Sequence, residues 1–258
     1  MGFLQSLAAA LSLLSSLSSA GLFRDGIIGG HEAQPHSRPY MAYLVVQRDK
    51  VAGCGGFLIR EDFVVTAAHC AGRKLYVLLG AHALKKQESS RQVLDVQKQF
   101  PHEDYSEENL ENDIMLLKLQ TNATLNQFVE PLALAQEGEE DPRERAQCLV
   151  SGWGSADADG ENHLSELQEV NVTVVGRKRC DRDWRGGITD NMICTQCCAA
   201  APCAALAQGD SGSPLVCGGK AYGIVSFSTN PCNLRGFPHV YTRISTYQPW
   251  ISKIISAN

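Results

Sequence analysis

The chain of 258 residues has no excess of positive charge: 23 lysines and arginines stand against 28 aspartates and glutamates, a formal net charge of −5. Without a basic field it has no global electrostatic footprint for nucleic acid or another polyanion. Beyond residue 20 no stretch is apolar enough to cross a bilayer, which takes about 20 consecutive apolar residues. Helical periodicity is scarce. Only Thr246 to Ile255 spaces its apolar residues for a helix face, through Trp250, Ile251, Ile254 and Ile255, so a helical bundle is excluded. No internal repeat is visible, which argues against a solenoid or propeller. Metal-ligand patterns are also missing. Cys194, Cys197, Cys198 and Cys203 cluster, but no matched Cys or His pair follows at finger spacing. The loop Ala81–Lys86 lacks the carboxylates a calcium ion requires. Neither metal nor cofactor is expected.

Residues 1–20 carry no charged side chain, are rich in Leu, Ala and Ser, and end Ser18-Ser19-Ala20. This reads as a secretory signal peptide rather than an anchor. Ten cysteines are unusual in a reduced cytosol and fit an oxidising destination. Two sequons, Asn122-Ala123-Thr124 and Asn171-Val172-Thr173, predict N-glycosylation of a secreted protein.

Between these landmarks run short β-branched and aromatic segments such as Tyr43–Val46, Phe63–Thr66, Leu75–Leu79 and Val170–Val175, separated by Gly, Pro, Asn and charged turns. They predict an all-β barrel or sandwich. The charged stretch Gln136–Arg145 reads as a surface crossover between two halves, 27–135 and 146–245. The basic run Arg177-Lys178-Arg179, with Arg182 and Arg185, alternates with Asp181 and Asp183 and reads as a solvated loop.

The stretch with the most chemistry is Gly209-Asp210-Ser211-Gly212-Ser213-Pro214. A serine between glycines in a tight turn can expose its hydroxyl and leave backbone N–H groups pointing at a developing negative charge. Upstream stand His69, in Val65-Thr66-Ala67-Ala68-His69-Cys70, and Asp113, in Asn112-Asp113-Ile114. Base, orienting acid and nucleophile in the order His, Asp, Ser is a known chain order for a serine hydrolase triad.

Together with Ile27-Ile28-Gly29-Gly30, Cys54-Gly55-Gly56, Ser151-Gly152-Trp153-Gly154 and Val240-Tyr241-Thr242-Arg243, these blocks resemble the trypsin/chymotrypsin family of serine endopeptidases over residues 27–255. Pro35–Ala42 and Asn171–Val175 look most like the immune-cell granule branch of granzymes, chymases and neutrophil elastase. The resemblance implies two six-stranded antiparallel β-barrels with a C-terminal helix over 246–256, the active site lying between the barrels. It implies a nucleophile at Ser211, a base at His69, an orienting acid at Asp113, and an oxyanion hole from the N–H groups of Gly209 and Ser211. It further implies a zymogen, with residues 21–26 as propeptide, 27–258 as peptidase, and the new amino group of Ile27 pairing with Asp210. Gly26 is not basic, so removal of three dipeptides from 21–26 is expected rather than tryptic processing. Implied bridges are Cys54–Cys70, Cys148–Cys217 and Cys180–Cys194. The implied partners are protein or peptide substrates and serpin-type inhibitors, with no nucleic acid or membrane. The chain is expected as a monomer, secreted or stored in granules.

The pattern departs from the family at Cys194–Ala207, where Ala207 replaces a cysteine commonly bridged to the position of Cys232. Cys203 is the candidate displaced partner, and Cys197 and Cys198 have no family counterpart. This segment helps build the specificity pocket, whose implied residues are Ala205, Leu206, Ser226, Phe227, Ser228 and His239. No carboxylate is among them, so cleavage after Lys or Arg is not expected. A small or medium apolar residue leads, and an acidic residue facing protonated His239 is second, unless His239 plugs the pocket. The alternative function is a catalytically silent granule, antimicrobial or binding protein on the same fold.

Overall fold

The computed structural model describes residues 30–154, 165–197, 209–229 and 237–258. Two antiparallel β-barrels dominate it. The first closes β2 (Met41–Gln47), β3 (Val51–Arg60), β4 (Phe63–Thr66), β7 (Met115–Leu119), β6 (Gln92–Pro101) and β5 (Lys74–Leu79) in that spatial order, β5 returning to β2. The second runs β8 (Gln147–Gly152), β9 (Gln168–Val175), β10 (Met192–Cys197), β13 (His239–Arg243), β12 (Lys220–Phe227) and β11 (Pro214–Cys217), and β11 pairs back to β8.

β2 shows why its sequence does not alternate. Ala42, Leu44 and Val46 face the first barrel's core, while Met41 and Tyr43 face a separate layer with Trp153, Ala81 and Leu167. A strand buried on both faces reads as a continuous apolar run. Tyr43 meets Trp153 edge-on at 5.9 Å between ring centroids, and the Trp153 indole N–H donates to the His82 carbonyl at 2.9 Å. Strand β5, between β2 and β6, buries Leu75, Val77 and Leu79 and leaves Tyr76 and Leu78 half-buried.

Three details differ from the sequence reading. The short strand β1 (His31–Glu32), in the first half of the chain, pairs with β9 of the second barrel. Arg38 holds it there through a two-pronged bond to Glu169 at 2.8 and 3.2 Å. The basic run at 177 is not a loop but a short helix, α1 (Arg177–Asp183), whose Cys180 is buried and bridged to Cys194. Local propensity is weak there; the bridge and the Arg179–Asp183 pair across one turn, at 3.6 Å, hold it. The C-terminal helix α2 spans Gln248–Ala257 after a 3₁₀ turn over Ile244–Tyr247. Its start is set by Pro249, whose fixed φ suits the first helical turn.

The crossover 136–145 is mostly exposed but pinned. Glu139 accepts from Lys220 at 3.0 Å and from the Tyr222 hydroxyl at 2.7 Å, and Arg243 reaches Asp141 at 2.8 Å. The Gln136 N–H, then Tyr222 and Lys220, hold the Glu139 carboxyl down at about 2.

Asp62 gathers Arg60 and Lys118, which reach the end of α2, Arg60 donating to the Ile255 carbonyl at 3.4 Å. Asp62 accepts from Arg60, at 2.9 Å for one prong, and from Lys118, while Lys118 also donates to the Asn258 carbonyl at 3.0 Å. These donors, Arg60 first, lower the Asp62 pKa to about 2. A depressed carboxylate pKa contributes stability above its unfolded value near 4, lost as pH falls towards 2. Asp62→Asn is therefore expected to cost about 1–2 kcal/mol at pH 7. Urea unfolding of both proteins should show that difference shrinking between pH 4 and pH 2.

Candidate active site

His69 sits in a 3₁₀ turn, Ala68–Cys70, directly after β4. The Cys54–Cys70 disulfide ties this turn to β3, and the Cys148–Cys217 and Cys180–Cys194 bridges are formed as well. Asp113 lies just before β7 and is fully buried. One of its oxygens, Oδ2, is 2.7 Å from His69 Nδ1, and the other accepts the His69 backbone N–H at 2.9 Å. A carboxylate gripping both the ring and the main chain of one histidine fixes the ring's orientation and selects the tautomer with the proton on Nδ1.

The second barrel braces this carboxylate. The Ser226 hydroxyl donates to Asp113 Oδ2 at 2.5 Å, and the Thr242 hydroxyl donates to the Asp113 carbonyl at 2.8 Å. Ser226, expected only as a pocket wall, thus spends its side chain on the acid. Burial, with the Asp113 charge next, pushes the Tyr105 and Tyr247 hydroxyls up to about 12. Ser226→Ala is expected to lower kcat about tenfold with little change in KM, since one charge-assisted hydrogen bond is lost. Steady-state kinetics on a small ester would check it.

The turn carrying Ser211 is held against the first barrel by backbone contacts. The Gly55 N–H donates to the Ser211 carbonyl at 2.8 Å, and that carbonyl lies 3.7 Å from Sγ of Cys70, the residue after His69. Gly212 has φ of +88° and donates to the Val225 carbonyl at 2.9 Å. A Cβ on it would lie 2.1 Å from the Thr66 hydroxyl, and one on Gly55 would lie 2.0 Å from the Ser213 hydroxyl. Gly209 has φ of +100°. Among the described residues, the N–H groups of Gly209 and Ser211 donate to no other group.

Asp210 is fully buried, and its Oδ1 accepts the Gly154 N–H at 2.8 Å. A Cβ on Gly152 would lie 2.0 Å from this oxygen, and one on Gly154 would lie 2.6 Å from the same carboxylate. The spacing Gly152-Trp153-Gly154 carried this signal in the sequence, but its meaning depends on a side chain 56 residues away.

Of the expected pocket residues, His239 and Ser228 meet: the buried His239 ring places Nδ1 2.7 Å from the Ser228 hydroxyl. The Phe227 ring packs edge-on against Trp184 at 5.1 Å, and Trp184 contacts Phe237 at 5.4 Å. Ile27, Ala205, Leu206, Cys198, Cys203 and Cys232 lie outside the described residues.

The trypsin family model matches residues 27–251. Dog chymase is 44% identical over 252 residues, covering 96% of this chain and 97% of its own length. Bovine duodenase-1 is 45% identical over 246 residues, covering 93% and 92%, and human granzyme B is 44% identical over 237 residues, covering 88% and 90%. The solved structure of GrC superposes with a TM-score of 0.82 at 40% identity, covering 89% of this chain and all of that one. The chain belongs to the trypsin family of serine endopeptidases, in the granule-protease branch of chymases and granzymes.

Proposed function

We propose that this serine endopeptidase cleaves peptide bonds through an acyl-enzyme, with Ser211 as nucleophile, His69 as base and Asp113 as orienting acid. The observation that carries this is the fully buried Asp113 carboxylate on His69 Nδ1 at 2.7 Å, beside the turn that bears Ser211. The Ser211 hydroxyl attacks the scissile carbonyl while its proton passes to His69 Nε2. The imidazolium, stabilised by Asp113, then returns that proton to the leaving amine. The N–H groups of Gly209 and Ser211 receive the oxyanion, each such donor being worth about 3–4 kcal/mol in the barrier. Water repeats the sequence to release the acid and free the serine.

The chain is made as a secreted or granule-stored zymogen on this reading, trimmed to Ile27, whose amino group reaches Asp210. The full burial of Asp210 directly beside Ser211 supports it, since a carboxylate taken out of water favours a cationic partner. Substrates are cleaved after small or medium apolar residues rather than after Lys or Arg. The His239–Ser228 contact at 2.7 Å supports this, as no described residue of the expected pocket offers a carboxylate. A fluorophosphonate probe should label the processed enzyme but neither Ser211→Ala nor His69→Ala. Peptide-library profiling should show apolar residues before the cut, and dominant cleavage after arginine would refute the specificity.

A further inference from the structure

A polar cleft on the first barrel, remote from this chemistry, borders one of the two sequons. Its volume is about 780 Å³, and Ser90, Gln92, Thr121, Asn122, Gln127 and Phe128 are among its lining residues. That size falls in the range of ligand clefts, roughly 300–1,000 Å³. No lining residue is charged, although 51 of the chain's residues are Lys, Arg, Asp or Glu (23 and 28). Amides and hydroxyls stand beside one ring and the exposed Val93, whose relative exposure is 62%. Leu125, in the adjoining loop, is a second exposed apolar side chain. Hydroxyl-bonding groups next to small apolar faces match a sugar, whose rings carry hydroxyls at the rim and C–H groups on the faces.

We infer that the cleft holds the core of an N-glycan attached to Asn122. Attachment joins the anomeric carbon of a lipid-diphosphate-linked oligosaccharide to Asn122 Nδ2. The C–O bond to the diphosphate breaks, one amide proton leaves, and the lipid diphosphate is released. Nδ2 keeps its second hydrogen, which continues to donate to Glu61 Oε1, now at 2.7 Å. That bond fixes the amide plane at the lip of the cleft and limits where the first sugar can point. The loop is ready for it: Gln92 clamps Thr124 through both its amide atoms, at 2.8 and 2.9 Å, and the Ala123 N–H is anchored on the Glu61 carbonyl at 2.6 Å. The seated glycan covers Val93 and braces β6 against the loop 121–128.

The inference rests on the secretory reading above, and Asn171 separates the two. Protein secreted from mammalian cells is analysed by site-resolved glycopeptide mass spectrometry and by hydrogen exchange of 89–94 and 121–128. Asn122 should be occupied, with these amides exchanging at least about threefold more slowly than in Asn122→Gln. Val93→Lys should keep the glycan but lose the protection, and small-substrate hydrolysis should be the same in all three proteins. A bare Asn122 beside an occupied Asn171 overturns this inference while leaving secretion intact. Equal exchange with and without the glycan overturns it too. Protection that appears only on adding free N,N′-diacetylchitobiose would assign the cleft to an external sugar instead.

Discussion

Ser211→Ala is expected to lower kcat by about 10⁶-fold and to leave KM near its starting value, because the hydroxyl forms a bond only along the reaction path. His69→Ala should cost about as much, and the double variant little more, since nucleophile and base act as one unit. Asp113→Asn should cost about 10⁴-fold. The amide would offer His69 Nδ1 a donor or a neutral oxygen in place of the carboxylate at 2.7 Å, so the ring would favour the wrong tautomer. It would also lose the charge that stabilises the imidazolium. Steady-state kinetics on one peptide substrate, with enzyme concentration taken from absorbance, measures all four variants. Full activity in Ser211→Ala would refute the assignment, and equal losses for Asp113→Asn and Ser226→Ala would refute the ordering of acid and brace.

Gly152→Ala should lower kcat/KM by about 10²–10³-fold although residue 152 touches no reacting atom. The new Cβ would lie 2.0 Å from Asp210 Oδ1, a distance no carbon and oxygen keep. The carboxylate must turn or the chain must shift, and Asp210 sits between Gly209 and Ser211, whose N–H groups are the proposed oxyanion donors. Misplacing one such donor costs about 10²–10³-fold in rate. Cys148–Cys217 and the β8 ladder should keep the second barrel folded. The loss should therefore appear as slow acylation in single-turnover kinetics, with near-unchanged urea unfolding. A variant of normal activity would show that the Asp210 carboxylate can reorient without moving its neighbours.

The proposed triad could be picked out because each candidate sits in a short block with its own local chemistry: glycines around a serine, a histidine before a cysteine, an aspartate before an apolar strand. The all-β character was legible from short β-branched and aromatic runs, whereas the two-barrel arrangement came with the family resemblance. β2 hid its two faces because both are buried, and α1 lacks an apolar stripe because a bridge rather than an amphipathic face holds it. Periodicity reports which face of an element is wet, and it does not report the partner.

What the sequence determined by itself is therefore the reaction class and the residues proposed to carry it, together with the all-β character of the fold. Only the tertiary structure decided that Ser226 and Thr242 brace Asp113, that Gly152 and Gly154 make room for Asp210, that His239 spends its ring on Ser228, and that β1 pairs across to β9. These pairings join positions far apart in the chain, through hydrogen bonds effective only over about 3 Å. Closure of two barrels sets those distances, and no local pattern encodes them.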